Sequence, residues 1–273
     1  MQPPGVPRPK VALPGVKSVI AVASGKGGVG KSTVAANLAL ALKAQNFQVG
    51  LMDADIYGPS VPIMMGVEGT FDQSILETPP ERYGLRLMSM GFLVKPDNPM
   101  IWRGPMVAKY VGALLTQTNW VELDYLVIDL PPGTGDAQLT LTQTIMLSGA
   151  VIVTTPQEVS LIDARKGLEM FRQVRVPVLG IVENMSYFTG DDGKRYEIFM
   201  HGGGQKLAGD AEVPFLGEVP IDPRVAECGD AGEPIVHKYP DSPAAKTYLE
   251  LATTVARELG QAGEPKPLPT LDL

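Results

Sequence analysis

The sequence predicts an α/β fold: a doubly wound, mostly parallel sheet with helices on both faces. Short continuous apolar runs recur along the chain, each ends in a polar residue, and helix-length segments separate them. Alternation of strand and helix implies parallel strands covered on both faces, with ligands at the carboxyl ends of those strands.

Val19-Ile20-Ala21-Val22-Ala23 is a β-branched run that ends in a Gly-rich turn, and the turn opens into a helix over Lys31–Ala44, dense in Ala and Leu. Further strands span residues 49–52, 126–128, 151–153 and 178–182, ending at Asp53, Asp129, Thr154 and Glu183. These polar ends are expected to converge. Apolar residues recur near helical spacing over 107–116, 137–147 and 160–173, and a last helix is expected over 244–259. Residues 66–99 are less regular, with Leu85-Arg86-Leu87-Met88 as a strand inside them. Residues 187–204 read as a polar, Gly-rich excursion. No internal repeat is present. The expected organisation is a Pro-rich lead-in over 1–17, one domain over 18–260, and a disordered Pro-rich tail over 261–273.

Lys and Arg number 23 against 30 Asp and Glu, a net charge of -7, which argues against a broad phosphate-binding surface and against a nucleic-acid partner. No run of about 18 apolar residues occurs, so no membrane partner is expected and the cytoplasm is the expected compartment. Cys228 is the single cysteine, which excludes an intrachain disulfide and a multi-cysteine metal site made by one chain.

Gly25-Lys26-Gly27-Gly28-Val29-Gly30-Lys31-Ser32 satisfies G-x-x-x-x-G-K-[ST] between a predicted strand and a predicted helix, the signature of a phosphate loop. Glycines let backbone N–H groups curl around phosphate oxygens, and the helix N-terminus adds a favourable dipole. Lys31 would neutralise the β and γ phosphates, and Ser32 would hold Mg²⁺ through its hydroxyl. Lys26 is a second lysine in the loop. It suits either a neighbouring subunit's nucleotide or a solvated surface position.

Asp53 and Asp55 stand at i and i+2, so in an extended segment they would point the same way. A carboxylate there can hold a Mg²⁺ water or orient the attacking water, because phosphoryl transfer is mainly positioning plus charge stabilisation. Asp129 precedes Pro131-Pro132-Gly133-Thr134-Gly135-Asp136, which reads as a metal-binding carboxylate followed by a loop suited to two arrangements, with and without γ-phosphate. Strand-end capping is the competing role for all three.

With Thr33 added, the loop resembles the deviant Walker A of the MinD, ParA and nitrogenase-iron-protein superfamily of P-loop NTPases. That resemblance implies an ATP-dependent homodimer, and it gives Lys26 a role across the dimer, Asp55 the water and Asp53 the metal shell. Three further segments resemble the Mrp-type iron-sulfur cluster carrier ATPases: Asp53-Ala54-Asp55-Ile56-Tyr57-Gly58-Pro59-Ser60, the 129–136 segment, and Glu183-Asn184-Met185-Ser186. Trp102-Arg103-Gly104-Pro105-Met106 and Gly217-Glu218-Val219-Pro220-Ile221-Asp222-Pro223 extend the likeness.

Resemblance to the carriers implies ATP hydrolysis through Lys26, Lys31, Asp55 and Asp129. It implies Mg²⁺ on Ser32, Asp53 and Asp129, and nucleotide contacts from residues 25–33. Asn184 would contact adenine, with Pro220 and Asp222 near the base, although fixing a loop is the competing role for Asn184. Apoprotein clients or iron-sulfur assembly proteins are the implied partners. Many carriers bear C-x-x-C after the E-N-M-S motif, whereas here Tyr187-Phe188-Thr189-Gly190-Asp191-Asp192-Gly193 holds no cysteine. Cys228 reads as a small apolar residue and His201, beside Gly202-Gly203-Gly204, as a loop residue. The cluster role therefore rests on resemblance alone. The alternative is a MinD- or ParA-like switch without a cluster. Bacterial relatives often carry a small domain before the phosphate loop; here a Pro-rich lead-in stands in that place.

Overall fold

The computed structural model describes residues 10–262 except 57, 68, 70 and 93–103, with the backbone alone at 73, 104–109, 261 and 262. The strands are β1 (Val16–Ser24), β2 (Val49–Asp53), β3 (Glu81–Arg82), β4 (Leu85–Ser89), β5 (Leu123–Asp129), β6 (Gly149–Thr154), β7 (Val178–Thr189), β8 (Arg195–Tyr196) and β9 (Phe215–Ile221). Between them lie α1 (Lys31–Ala44), α2 (Val61–Met64), α3 (Gly104–Gln117), α4 (Asp136–Thr144), α5 (Glu158–Gln173) and α6 (Gly203–Asp210). Helices α7 (Pro223–Asp230), α8 (Ile235–Lys238) and α9 (Pro243–Ala262) follow β9.

β4, β2, β5, β1, β6 and β7 lie side by side in that order and all run parallel, and β9 adds a further parallel strand on β7. The small strands β3 and β8 pair antiparallel with β4 and β7. β2 and β6 are buried at every residue, so their continuous apolar runs are those of strands covered on both faces. α1 is buried almost all round, since it packs on the sheet with one side and on α9 with the other. β1 is central, and the loop that follows it therefore opens at the middle of the sheet's carboxyl edge.

Several boundaries differ from expectation. β7 does not stop at Glu183 but runs on to Thr189, because β9 and β8 continue to pair with it. The helix expected to reach 147 ends at Thr144. Val11 captures the backbone there, donating to the Thr144 carbonyl at 2.7 Å and accepting from Met146 N at 2.9 Å, which draws Ile145 into an extended bridge. β1 begins at Val16, inside the expected lead-in, and α9 reaches Ala262, past the expected start of the tail. Residues 1–9 and 263–273, and Trp102 and Arg103, lie outside the described residues.

Candidate nucleotide site

β1 delivers Ser24 to the sheet's carboxyl edge, residues 25–30 turn, and α1 starts at Lys31. Gly30 occupies the position before the helix at φ 80°, a left-handed conformation that favours glycine, and a Cβ there would sit 2.2 Å from Asn184 Nδ2. Gly30 has no side chain with which to cap α1, so the first-turn N–H groups are left for an anion. Gly133 N donates to the Ser24 carbonyl at 3.0 Å, tying the loop after β5 to the end of β1.

Parallel register sets Asp53 of β2 beside Asp129 of β5, both fully buried. Buried like charges are costly unless something neutralises them. Lys31, itself 6% exposed, supplies one cation: its Nζ donates to Asp129 Oδ1 in a short charge-assisted bond and lies 3.4 Å from Ser32 Oγ. Asp129 Oδ2 is buried with no hydrogen-bond partner among the described residues. Burial, the largest influence, raises the Asp129 carboxyl against the pull of Lys31. Asp53 is pushed up to about 8, by burial first and then by the charge of Asp129.

β2 ends at Asp53, and the chain stays on β5 for one residue more, Ala54 N donating to the Asp129 carbonyl at 2.9 Å. Asp53 Oδ1 accepts from Asp55 N at 3.0 Å, while Oδ2 accepts from Val61 N at 3.2 Å and from the Ser89 hydroxyl at 3.1 Å. Asp53 thus caps the strand end as well as facing Asp129. Asp55 is 8% exposed and its Oδ1 accepts from Gly58 N at 3.3 Å. Ser89 was not singled out in the sequence. Its signal was the same as that of Asp53, a polar residue directly after an apolar strand.

Asn184 sits under the loop, donating Nδ2 to the Val29 carbonyl at 2.8 Å, so it does fix the loop. Register places it beside Val219 of β9, which brings Pro220 close along the edge. Asp222 caps α7, accepting from Arg224 N at 3.0 Å, and its ion pair with the Arg224 guanidinium at 2.7 Å holds its carboxyl below the usual range. Lys26 is half-buried, and its carbonyl accepts from the Ser24 hydroxyl at 2.9 Å. Cys228, in α7, is buried, and burial pushes its thiol up, the direction that disfavours a thiolate.

The site fits a hard divalent cation: an orphaned carboxylate oxygen of Asp129 stands beside a lysine that a phosphate would attract away, with the Ser32 hydroxyl within reach of that lysine. A strand, a Gly-rich loop and a helix that bury such a lysine against the carboxylate of the adjacent strand define a P-loop NTPase. Residues 15–256 match the ParA family described as NUBPL iron-transfer P-loop NTPase, and the chain belongs to that family. It is 52% identical over 261 residues to an iron-sulfur cluster carrier protein of Aquifex aeolicus, covering 94% of this chain and 71% of the relative. A nucleotide-binding protein of Archaeoglobus fulgidus, solved in complex with ADP, is similar at 40% identity with a TM-score of 0.70, over 85% of this chain and 91% of that one. The cell division ATPase MinD of Pyrococcus furiosus, 22% identical over 88% of this chain and 99% of its own, shares the fold with a TM-score of 0.68.

Proposed function

We propose that this chain is a homodimeric ATPase that binds iron-sulfur clusters and passes them to apoproteins in the cytoplasm. The observation that carries the nucleotide half is the buried Lys31–Asp129 pair inside an otherwise complete phosphate loop. Phosphate oxygens offer Lys31 a partner of higher charge, so nucleotide binding draws it from Asp129. Ser32, Asp53 and Asp129 would then hold Mg²⁺, which neutralises charge on the β and γ phosphates when bound. Asp55 positions the attacking water. Lys26, the second lysine of the loop, reaches the nucleotide of the second subunit. Asn184 has its Nδ2 on Val29 and reads the adenine amino group with its amide oxygen, and Pro220 and Asp222 flank the base.

The carrier half is supported by the family and by relatives named as carriers. The cluster is cargo, and the thiolates that usually hold one do not come from this chain, whose single cysteine is buried. Client apoproteins or assembly proteins supply them. Anaerobic reconstitution with iron and sulfide in the presence of an apo-ferredoxin, followed by iron quantification on each protein, tests this reading with a Cys228→Ser variant alongside. Cluster appearing on the ferredoxin faster with this chain and ATP than without them, and unaffected by the variant, is the expected result. Intact ATP turnover with no cluster held or transferred would replace the carrier with a nucleotide-driven switch.

A further inference from the structure

A second cluster of polar side chains lies at the same carboxyl edge, three strands away from Asp129. Glu183 of β7 and Glu218 of β9 are register partners on parallel neighbouring strands. Like charges set directly opposite each other in a sheet are destabilising, so a cation between them would relieve the repulsion. Among the described residues no lysine or arginine forms an ion pair with either. Glu183 is fully buried, its carboxylate held by Gly202 N at 3.0 Å, Gly204 N at 2.5 Å and the Ser186 hydroxyl at 2.6 Å.

Those backbone bonds bring His201 over the pair. A Cβ on Gly204 would meet the Glu183 side chain at 3.0 Å, so glycine there is what lets the start of α6 approach so closely. One ligand atom from each of Glu183, His201 and Glu218 lies within 4.8 Å of the others, and His201 Nε2 is 3.0 Å from Glu218 Oε1. The other imidazole nitrogen, Nδ1, is 3.8 Å from Glu197 Oε1, the kind of outer carboxylate that orients metal-bound histidines. The His201 and Glu218 side chains are 34% and 22% exposed, which leaves an approach from solvent.

We propose that Glu183, His201 and Glu218 bind one divalent first-row transition-metal ion, of the Fe²⁺, Co²⁺ or Zn²⁺ class. A protonated His201 balances one of the two carboxylates, whereas a dication on neutral imidazole balances both. The imidazole selects this class over Mg²⁺ and Ca²⁺, which prefer all-oxygen shells. One histidine and two carboxylates leave coordination positions open on the solvent side. Asn184, the next residue of β7, holds Val29, so the ion would sit one residue from a support of the phosphate loop. The proposal does not rest on cluster carriage and needs neither sulfide nor cysteine.

The test is anaerobic titration of the metal-free full chain with Co²⁺ in excess Mg²⁺, followed by visible absorption and calorimetry. One equivalent per chain is expected, with ligand-field bands, and Cys228→Ser should bind equally well. His201→Ala, in a half-exposed loop, and Glu218→Gln should each weaken binding by about tenfold or more, with circular dichroism reporting that the fold is kept. No saturable uptake by the wild type, or the same affinity in both folded variants, would overturn the site and leave a His201–Glu218 ion pair only.

Discussion

Lys31 and Asp129 hold each other in a place where neither is stable alone. Removing one partner of a buried pair strands the other, at about 3–5 kcal/mol. Lys31→Ala should therefore abolish nucleotide binding and also lower stability, and Asp129→Asn added to it should recover most of the stability but none of the binding. Calorimetry and urea denaturation read the two effects separately; tight nucleotide binding by Lys31→Ala would refute the phosphate-loop assignment. Asp53 gives a pH dependence of defined sign. Its carboxyl is raised from near 3.8 to about 8 in the folded protein. The folded state thus binds the extra proton between those values, and its stability falls as pH rises through that window. Linkage sets the slope at about 1.4 kcal/mol per pH unit. Asp53→Asn removes this slope, so the stability difference should shift toward the variant between pH 5 and pH 8, and parallel pH profiles would show that Asp53 titrates normally.

At the scale of elements, the sequence was most legible where a strand is covered on both faces and least where pairing alone makes it a strand. β2, β5 and β6 announce themselves as apolar runs with a polar end, and the phosphate loop follows from spacing. β9 does not: Gly217, Glu218 and Pro220 interrupt its apolar pattern, and it is a strand because β7 offers it a partner. The same pairing carries β7 past Glu183, and it is what sets Glu183 opposite Glu218, a relation between distant segments that no local spacing encodes. Local reading also placed Asn184 only by likeness, whereas the fold shows one definite contact, its bond to Val29. Losing one such buried bond is worth about 1 kcal/mol. Asn184→Ala should therefore speed amide exchange in residues 25–30 by several-fold and weaken ATP binding, as hydrogen-exchange mass spectrometry and calorimetry would record. Unchanged exchange would mean that the loop keeps its shape without this support.

For the whole molecule, the issue is whether one chain is a complete ATPase. No helix among the described residues is long and apolar enough to cross a membrane, and the net charge of -7 gives two copies a long-range repulsion that a bound nucleotide alone does not remove. In the proposed dimer Lys26 would offset it locally. It has no ion-pair partner among the described residues, and it lies on a loop whose Gly25 packs against the Asp163 backbone of α5. Val159 and Ile162, 65% and 49% exposed, flank that contact on α5 and give the same face an apolar component. Two copies meeting there would bring each Lys26 toward the other's phosphates, where a cation supplied in trans accelerates phosphoryl transfer by about 10³-fold or more. Lys26→Ala should leave nucleotide affinity of the monomer within about twofold, since Lys31 and the loop backbone make those contacts. It should abolish the dimer formed with a non-hydrolysable ATP analogue, seen by light scattering, and cut turnover together with it. If turnover falls while the dimer persists, Lys26 acts on the phosphates and the apolar face of α5 carries association; if both are unchanged, each subunit hydrolyses its own nucleotide unaided and the homodimer has no part in the chemistry.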